Sequence, residues 1–215
     1  MKRALSSRNI LNARFKTAEF DGKWLDSFGT PALTGVWFVW GVSGTGKTNF
    51  LLQLAKYLTK FVSKVAYDSL EEGLSLSIQE AWLRNNVAEC GNKVCLLDRE
   101  DLDELNTRLQ RKKSPNVVII DSVQKLKLKL RYSDVDALVK RYPNKLFIFI
   151  SQVGKSGEPK GEVALSVRHD ADIKIQIEGY RGHVTTRYRT AEGQGGEDFV
   201  FYQDGAEAYD AVINE

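Results

Sequence analysis

The chain has 215 residues, 42% of them hydrophobic and 10% aromatic, which suits one α/β domain with a packed core and excludes a tail-like disordered chain. Its net charge of +3 excludes a surface that is basic throughout, so any nucleic-acid site must be a local patch. No stretch approaches the roughly 20 apolar residues that cross a bilayer, and no apolar run of signal-peptide length opens the chain, so a soluble, cytoplasmic protein without membrane association is expected.

Residues 1–34 are basic and irregular, ending in Phe28-Gly29-Thr30-Pro31, and read as an N-terminal arm. Within it, Phe15 and Phe20 are expected to pack onto the core, which runs from 35 to 215. Val36-Trp37-Phe38-Val39-Trp40 is a continuous apolar run of strand length, the pattern of a strand buried on both faces. A glycine-rich loop follows, then a helix over 49–61 with Leu51, Leu52, Leu54, Ala55 and Leu58 at helical spacing.

Strands and helices then alternate: strand 64–68, helix 74–86, strand 93–97, and helix 101–112 with acidic residues in its first turn. Strand 117–121, a helix over 133–141 capped by Ser133, and strand 146–151 complete the series. Cys90 and Cys95 form no Cys-x-x-Cys pair and read as two reduced thiols, not as zinc ligands. From Gly154 to Glu162 the texture turns to Gly, Lys, Glu and Pro, predicting a mobile loop. Alternating residues over 173–177, 184–190 and 199–202 predict antiparallel strands at one end of the sheet. The fold class is therefore α/β, a mainly parallel central sheet covered by helices on both faces.

Gly41-Val42-Ser43-Gly44-Thr45-Gly46-Lys47-Thr48 matches the phosphate-loop pattern without deviation, between a buried strand and an amphipathic helix. The glycines let backbone N–H groups curl around phosphate oxygens, and the next helix points its positive end at the same anion. Lys47 reaches the β- and γ-phosphates, Thr48 joins a magnesium shell, and Asn49 continues the nucleotide contact. Asn116-Val117-Val118-Ile119-Ile120-Asp121 is an apolar strand ending in a carboxylate, which makes Asp121 the second magnesium ligand. Ser122 follows where many ATPases place the water-activating glutamate. The base must come from elsewhere, and Glu71, with Glu72 second, ends a neighbouring strand on the same crevice. Both carboxylates also suit the start of the next helix.

These pieces resemble the RecA-type ATPases, including RecA, RadA and the DnaB helicase motor, over roughly 35–202. Ser69-Leu70-Glu71 looks like the family's catalytic-glutamate segment, and Asp121-Ser122-Val123-Gln124 like its Walker B segment. Phe149-Ile150-Ser151-Gln152 is similar to the strand ending in a sensor of the γ-phosphate. The resemblance implies ATP and magnesium as cofactors and a loop after Gln152, over 153–166, that binds single-stranded DNA through Lys155 and Lys160. It places the other DNA-binding loop at Gln124-Lys125-Leu126-Lys127-Leu128-Lys129-Leu130-Arg131. In an extended segment these cations share one face and the leucines the other; an ordinary amphipathic segment with a wet face has the same pattern.

Thr186-Arg187-Tyr188-Arg189 is similar to the basic pair that reaches a neighbouring subunit's ATP, so Arg187 and Arg189 are candidate fingers in trans. His169 and Asp172 fall near a family His/Asp position, where a satisfied polar histidine explains them as well. Phe15-Lys16-Thr17-Ala18 fits the Phe-x-x-Ala pattern that docks recombinase protomers together, and also a Phe packed on the core. The nearly bare motor core resembles the short RecA-like recombination proteins of phages. That implies an ATP-dependent DNA-recombination or single-strand annealing protein, assembled as a homo-oligomeric filament or ring. A helicase motor or helicase partner, and a nucleotide-gated protein-interaction switch, are the alternatives.

Overall fold

A computed structural model describes residues 4–154 and 156–213. The N-terminal segment carries two short helices, α1 (Ser7–Leu11) and α2 (Gly22–Phe28), before β1 (Gly35–Gly41) and α3 (Lys47–Leu58). Then come β2 (Val65–Ser69), α4 (Leu76–Arg84), β3 (Val94–Leu97), α5 (Leu102–Leu109) and β4 (Val117–Asp121). They are followed by α6 (Tyr132–Arg141), β5 (Leu146–Gln152), α7 (Glu162–Asp170), β6 (Ile173–Glu178), β7 (Arg181–Thr186), β8 (Phe199–Val200) and α8 (Gln203–Ile213). Among the described residues one sheet forms, in the order β3-β2-β4-β5-β1-β6-β7-β8. Pairing is parallel from β3 through β6, and β7 and β8 add antiparallel at one edge.

The apolar runs follow from this order. A parallel sheet covered by crossover helices buries both faces of its inner strands, so β1 needs no polar alternation. Trp37 and Val39 join the layer built from α2, α3 and α4, whereas Phe38 and Trp40 join the layer of α5, α6 and α7. Period-two alternation of Cβ directions puts one apolar set on each side.

The segment before β1 divides at residue 17. Residues 4–17 are exposed, and Phe15 with them, contrary to the expectation that it packs inward. Ala18, Phe20, Trp24 and Phe28 are buried in the first core layer. Trp24 stacks on Tyr57 of α3 with ring centroids 4.8 Å apart, and Phe20 meets the same ring edge-on at 5.0 Å. Each large side chain buried this way contributes about 1.5–3 kcal/mol, so residues 18–34 belong to the folded core physically, whatever their composition suggests.

Four further expectations need correction. The basic segment 124–131 is not extended: a 3-10 turn (Val123–Lys125) opens it, Lys129 has φ +55°, Leu126 is buried and Leu128 faces out. Leu126 fills the second layer, which breaks the alternation that would have lined up the cations. Helix α6 starts at Tyr132, before Ser133, with Arg131 in the cap position, and Asp134, in the first turn, accepts the Arg131 N–H at 2.9 Å. The loop after Gln152 is hydrogen-bonded, through a Val153–Pro159 bridge and a 2.7 Å bond from Gly154 N–H to Glu158, and by 162 it has become α7. Strand β7 lies upstream of the expected 184–190, because Thr186 pairs with Ile173 at the end of β6 and irregular chain follows.

Asp68 on β2 is fully buried, accepting the Glu100 N–H at 3.1 Å on one oxygen and, among the described residues, no hydrogen bond on the other. Burial pushes its carboxyl up to about 8, opposed by the Glu100 N–H. A raised carboxyl favours the fold most when protonated in both states, and that advantage is lost as pH rises from 3.8 through about 8. The melting temperature of the wild type should therefore decline across that window by several degrees more than that of Asp68→Asn, as thermal unfolding at a series of pH values will show.

Candidate nucleotide site

The phosphate loop hangs from the C-terminal end of β1, the strand held between β5 and β6. At Gly41 a Cβ would press into the Ile177 carbonyl of the adjacent strand. Gly44 and Gly46 have φ of 83° and 93°, a region that side chains disfavour. A Cβ on Gly46 would also lie 2.6 Å from the Tyr180 ring. Thr45 Oγ1 closes the loop by donating to the Val42 carbonyl at 2.8 Å. Helix α3 begins at Lys47 directly after the loop, so its unpaired N–H groups and positive dipole end face the glycine cradle.

Lys47 Nζ donates to the carbonyls of Gly41 at 2.9 Å and Val42 at 2.8 Å. Burial lowers its affinity for a proton, while the charges of Asp121 and Glu71 act the other way. Asp121, at the end of β4, accepts from the Tyr67 hydroxyl at 2.5 Å. Its carboxyl is pushed up to about 6 by burial first, with Glu71 adding to the shift and the Tyr67 bond and Lys47 opposing it. Tyr67 is itself fully buried, which raises its hydroxyl well above the ordinary value, and Asp121 adds to that. One Asp121 oxygen is thus tied to Tyr67, and among the described residues Oδ1 receives no hydrogen bond.

Glu71 follows β2. The N–H groups of Leu70 and Glu71 both donate to the Asp121 carbonyl, at 2.6 and 3.1 Å, which fixes this turn against β4. Arg99 braces its far side through a 2.5 Å bond to the Glu72 carbonyl. The Glu71 carboxylate accepts from Ser122 Oγ at 2.6 Å and from Gln152 Nε2 at 3.0 and 3.1 Å. Glu72 lines the same cleft, but its carboxylate accepts from Ser75 and Ser77 around the start of α4. The two glutamates differ in partners: Glu71 meets groups at the ends of β4 and β5, and Glu72 meets serines at a helix terminus.

Ser43, Gly44, Gly46, Lys47, Thr48 and Asn49 thus share one cleft of about 490 Å³ with Glu71, Asp121 and Gln152. Asn49 leans toward α4, accepting from Asn85 at 3.0 Å. Val42 is 52% exposed, on the outer side of the loop, and with Thr45 it faces a second hollow. Arg187 and Arg189 lie beyond the Thr186 end of β7, at the opposite end of the sheet from Gly41. Arg187 pairs with Asp172 at 3.1 Å, and His169 pairs with Asp170, not with Asp172. Neither arginine reaches the cleft of its own chain. Of the candidate DNA contacts, Lys125, Lys129 and Lys160 are exposed, Lys127 pairs with Asp134 at 3.2 Å, and Lys155 lies outside the described residues.

Sequence reasoning passed over Tyr67, Arg84, Tyr180 and Tyr202, which flank or line the cleft. No sequence signal marks Tyr67, since only the pairing of β2 with β4 brings it beside Asp121. Among the described residues no group of three or more His, Cys, Asp or Glu side chains could hold a metal alone. The Thr48 hydroxyl and the Asp121 carboxylate are nevertheless hard oxygen donors of the kind magnesium takes, completed by phosphate oxygens.

No protein-family model matches the chain, and no curated protein matches it in sequence. Solved structures do match in shape. The flagellar accessory protein FlaH from Methanocaldococcus jannaschii is 17% identical with a TM-score of 0.54, over 76% of this chain and 82% of that one. An ATPase from the type III secretion system of pathogenic bacteria is 13% identical with a TM-score of 0.53, over 72% of this chain. This chain covers 54% of the secretion ATPase, about half its length. At these identities the likeness establishes the fold alone, a RecA-like α/β fold.

Proposed function

We propose that the chain hydrolyses ATP with magnesium, assembles with copies of itself, and uses the nucleotide to control single-stranded DNA binding, as a recombination or annealing protein does. The observation that carries the catalytic part is the Glu71 carboxylate held by Gln152 and Ser122 in the cleft of Lys47, Thr48 and Asp121. The likeness to an ATPase of the type III secretion system agrees with it.

In this reading the loop N–H groups and Lys47 neutralise the triphosphate, and Thr48 and Asp121 hold magnesium, which when bound offsets phosphate charge. Glu71 takes a proton from the water whose oxygen bonds to the γ-phosphorus as the bond to the β–γ bridging oxygen breaks. Gln152 and Ser122 fix the carboxylate, and Gln152 feels the γ-phosphate through it. Charge in the transition state is completed by Arg187 or Arg189 of a second copy, since neither reaches its own cleft.

The DNA part rests on exposed Lys125, Lys129 and Lys160, carried on the turns that follow β4 and β5. ATP turnover with and without single-stranded DNA tests it, alongside a triple Lys→Glu variant at these positions. We expect DNA to stimulate the wild type severalfold and the variant not at all, with filter binding lost by about tenfold or more at fixed salt. Equal turnover with and without DNA, and no binding above the non-specific level, would sink the DNA part.

A second reading, a nucleotide-gated switch for a protein partner, is favoured by Leu76 and Leu83 on α4 and by Leu74 just before it, which are 70%, 68% and 72% exposed. These leucines flank the helix that lines the cleft, where a partner would sense the nucleotide. A tight protein partner with DNA-independent turnover would select this reading.

A further inference from the structure

Gln124 lies in the 3-10 turn after β4, and its side chain touches two other segments at once. Nε2 donates to Ser151 Oγ at 2.7 Å and to the Lys160 carbonyl at 2.8 Å. Ser151 Oγ in turn donates to the Gln152 carbonyl at 2.8 Å. The Lys160 N–H donates to that same carbonyl at 2.8 Å and to Ser151 Oγ at 3.3 Å. Chemistry fixes the amide's orientation: the Lys160 carbonyl only accepts, so the NH2 group must face it, and both of its hydrogens are committed.

The contact is finely balanced. Gln124 Oε1 is buried and has no hydrogen-bond partner among the described residues. Two bonds made to the protein are set against one buried acceptor left unmade, and the net gain is small. The Gln152 carbonyl is the hub of this cluster, and the side chain of the same residue holds Glu71.

We propose that Gln124 is a positioning residue: it clamps the loop 153–161 to the end of β5 and so holds Gln152 against Glu71. A shift of the Gln152 strand end breaks the Ser151 and Lys160 contacts together and frees the loop that carries Lys160. The turnover consequence rests on the nucleotide reading above, whereas the clamp itself requires no nucleotide.

Amide hydrogen exchange of the full chain, without nucleotide, tests the clamp in Gln124→Ala and Gln124→Glu. The carboxylate variant keeps the length but has no N–H to donate. In both, the Gly154 and Lys160 amides should exchange about tenfold faster or more, while Phe38 and Ile148 in the central strands stay unchanged. With ATP, kcat should fall severalfold and KM stay within about twofold, the split expected when orientation and not binding is lost. Unchanged exchange at Gly154 and Lys160 in both variants overturns the proposal. So does a rise spread evenly over β1 and β5, which marks general destabilisation, and so does faster loop exchange with kcat intact. A wild type that turns over no ATP sinks the functional reading, and the exchange pattern then decides the clamp alone.

Discussion

Glu71→Gln lowers ATP turnover by about 10²–10⁴-fold while nucleotide affinity stays within about threefold. The substitution preserves shape and hydrogen-bonding length. Ser122 and Gln152 still find an amide oxygen to donate to, so the turn held to the Asp121 carbonyl remains in place. Only the ability to accept a proton is removed, and a loss confined to kcat follows. Glu72→Gln is the matched control. Its carboxylate is engaged by Ser75 and Ser77 at the helix terminus, so turnover should hold within about threefold, with any loss appearing as the modest destabilisation of a weakened helix start. Phosphate release for turnover and a fluorescent nucleotide for affinity separate the two quantities. If Glu71→Gln stays near wild-type rate, the base lies elsewhere.

Lys47→Ala should fail differently, losing about 10²–10³-fold or more in turnover and a large part of nucleotide affinity. Lys47 is the cation nearest the phosphate cradle, and its charge acts on both Asp121 and Glu71. Without it two carboxylates face the triphosphate uncompensated, and ground state and transition state both suffer. The fold should survive, since among the described residues Nζ bonds to two loop carbonyls that water can satisfy. The same two assays, with circular dichroism as a control for folding, distinguish this pattern from that of Glu71→Gln.

The strands and the cradle were legible in the sequence for a physical reason. Inner strands of a parallel sheet are buried on both faces, so 36–40, 117–121 and 146–151 stand out as uninterrupted apolar runs. The cradle stands out because its glycines and Lys47 occupy a spacing that phosphate geometry dictates. The meeting of Glu71 with Gln152 joins residues far apart in the chain, and only a family resemblance suggested it. Other features depended on tertiary context. Helix α7 was hidden because Gly161, with φ +93°, caps it after a glycine-rich stretch. Helix α8 contains Gly205, which reads as a breaker, yet a Cβ there would collide with the rings of Tyr202 and Tyr180. The segment 124–131 alternates in sequence, but one buried leucine and a left-handed Lys129 override that pattern. The buried aromatics of 18–34 were grouped with the basic stretch upstream of them, which carries Arg8, Arg14 and Lys16.

Strand β1 finds its partners late. It pairs with β5 on one side and β6 on the other, whereas β2, β3 and β4 pair among themselves. During synthesis the ribosome therefore releases Trp37, Phe38 and the glycine loop long before either neighbour exists, and chain entropy opposes their capture until Gln152 and then Glu178 have emerged. The nucleotide cradle is made before the two strands that flank it and is held in place only after both have formed. A nascent chain stalled before β5 carries the whole phosphate-loop motif with no partner strand beside β1, and that exposed aromatic strand is what a chaperone would meet.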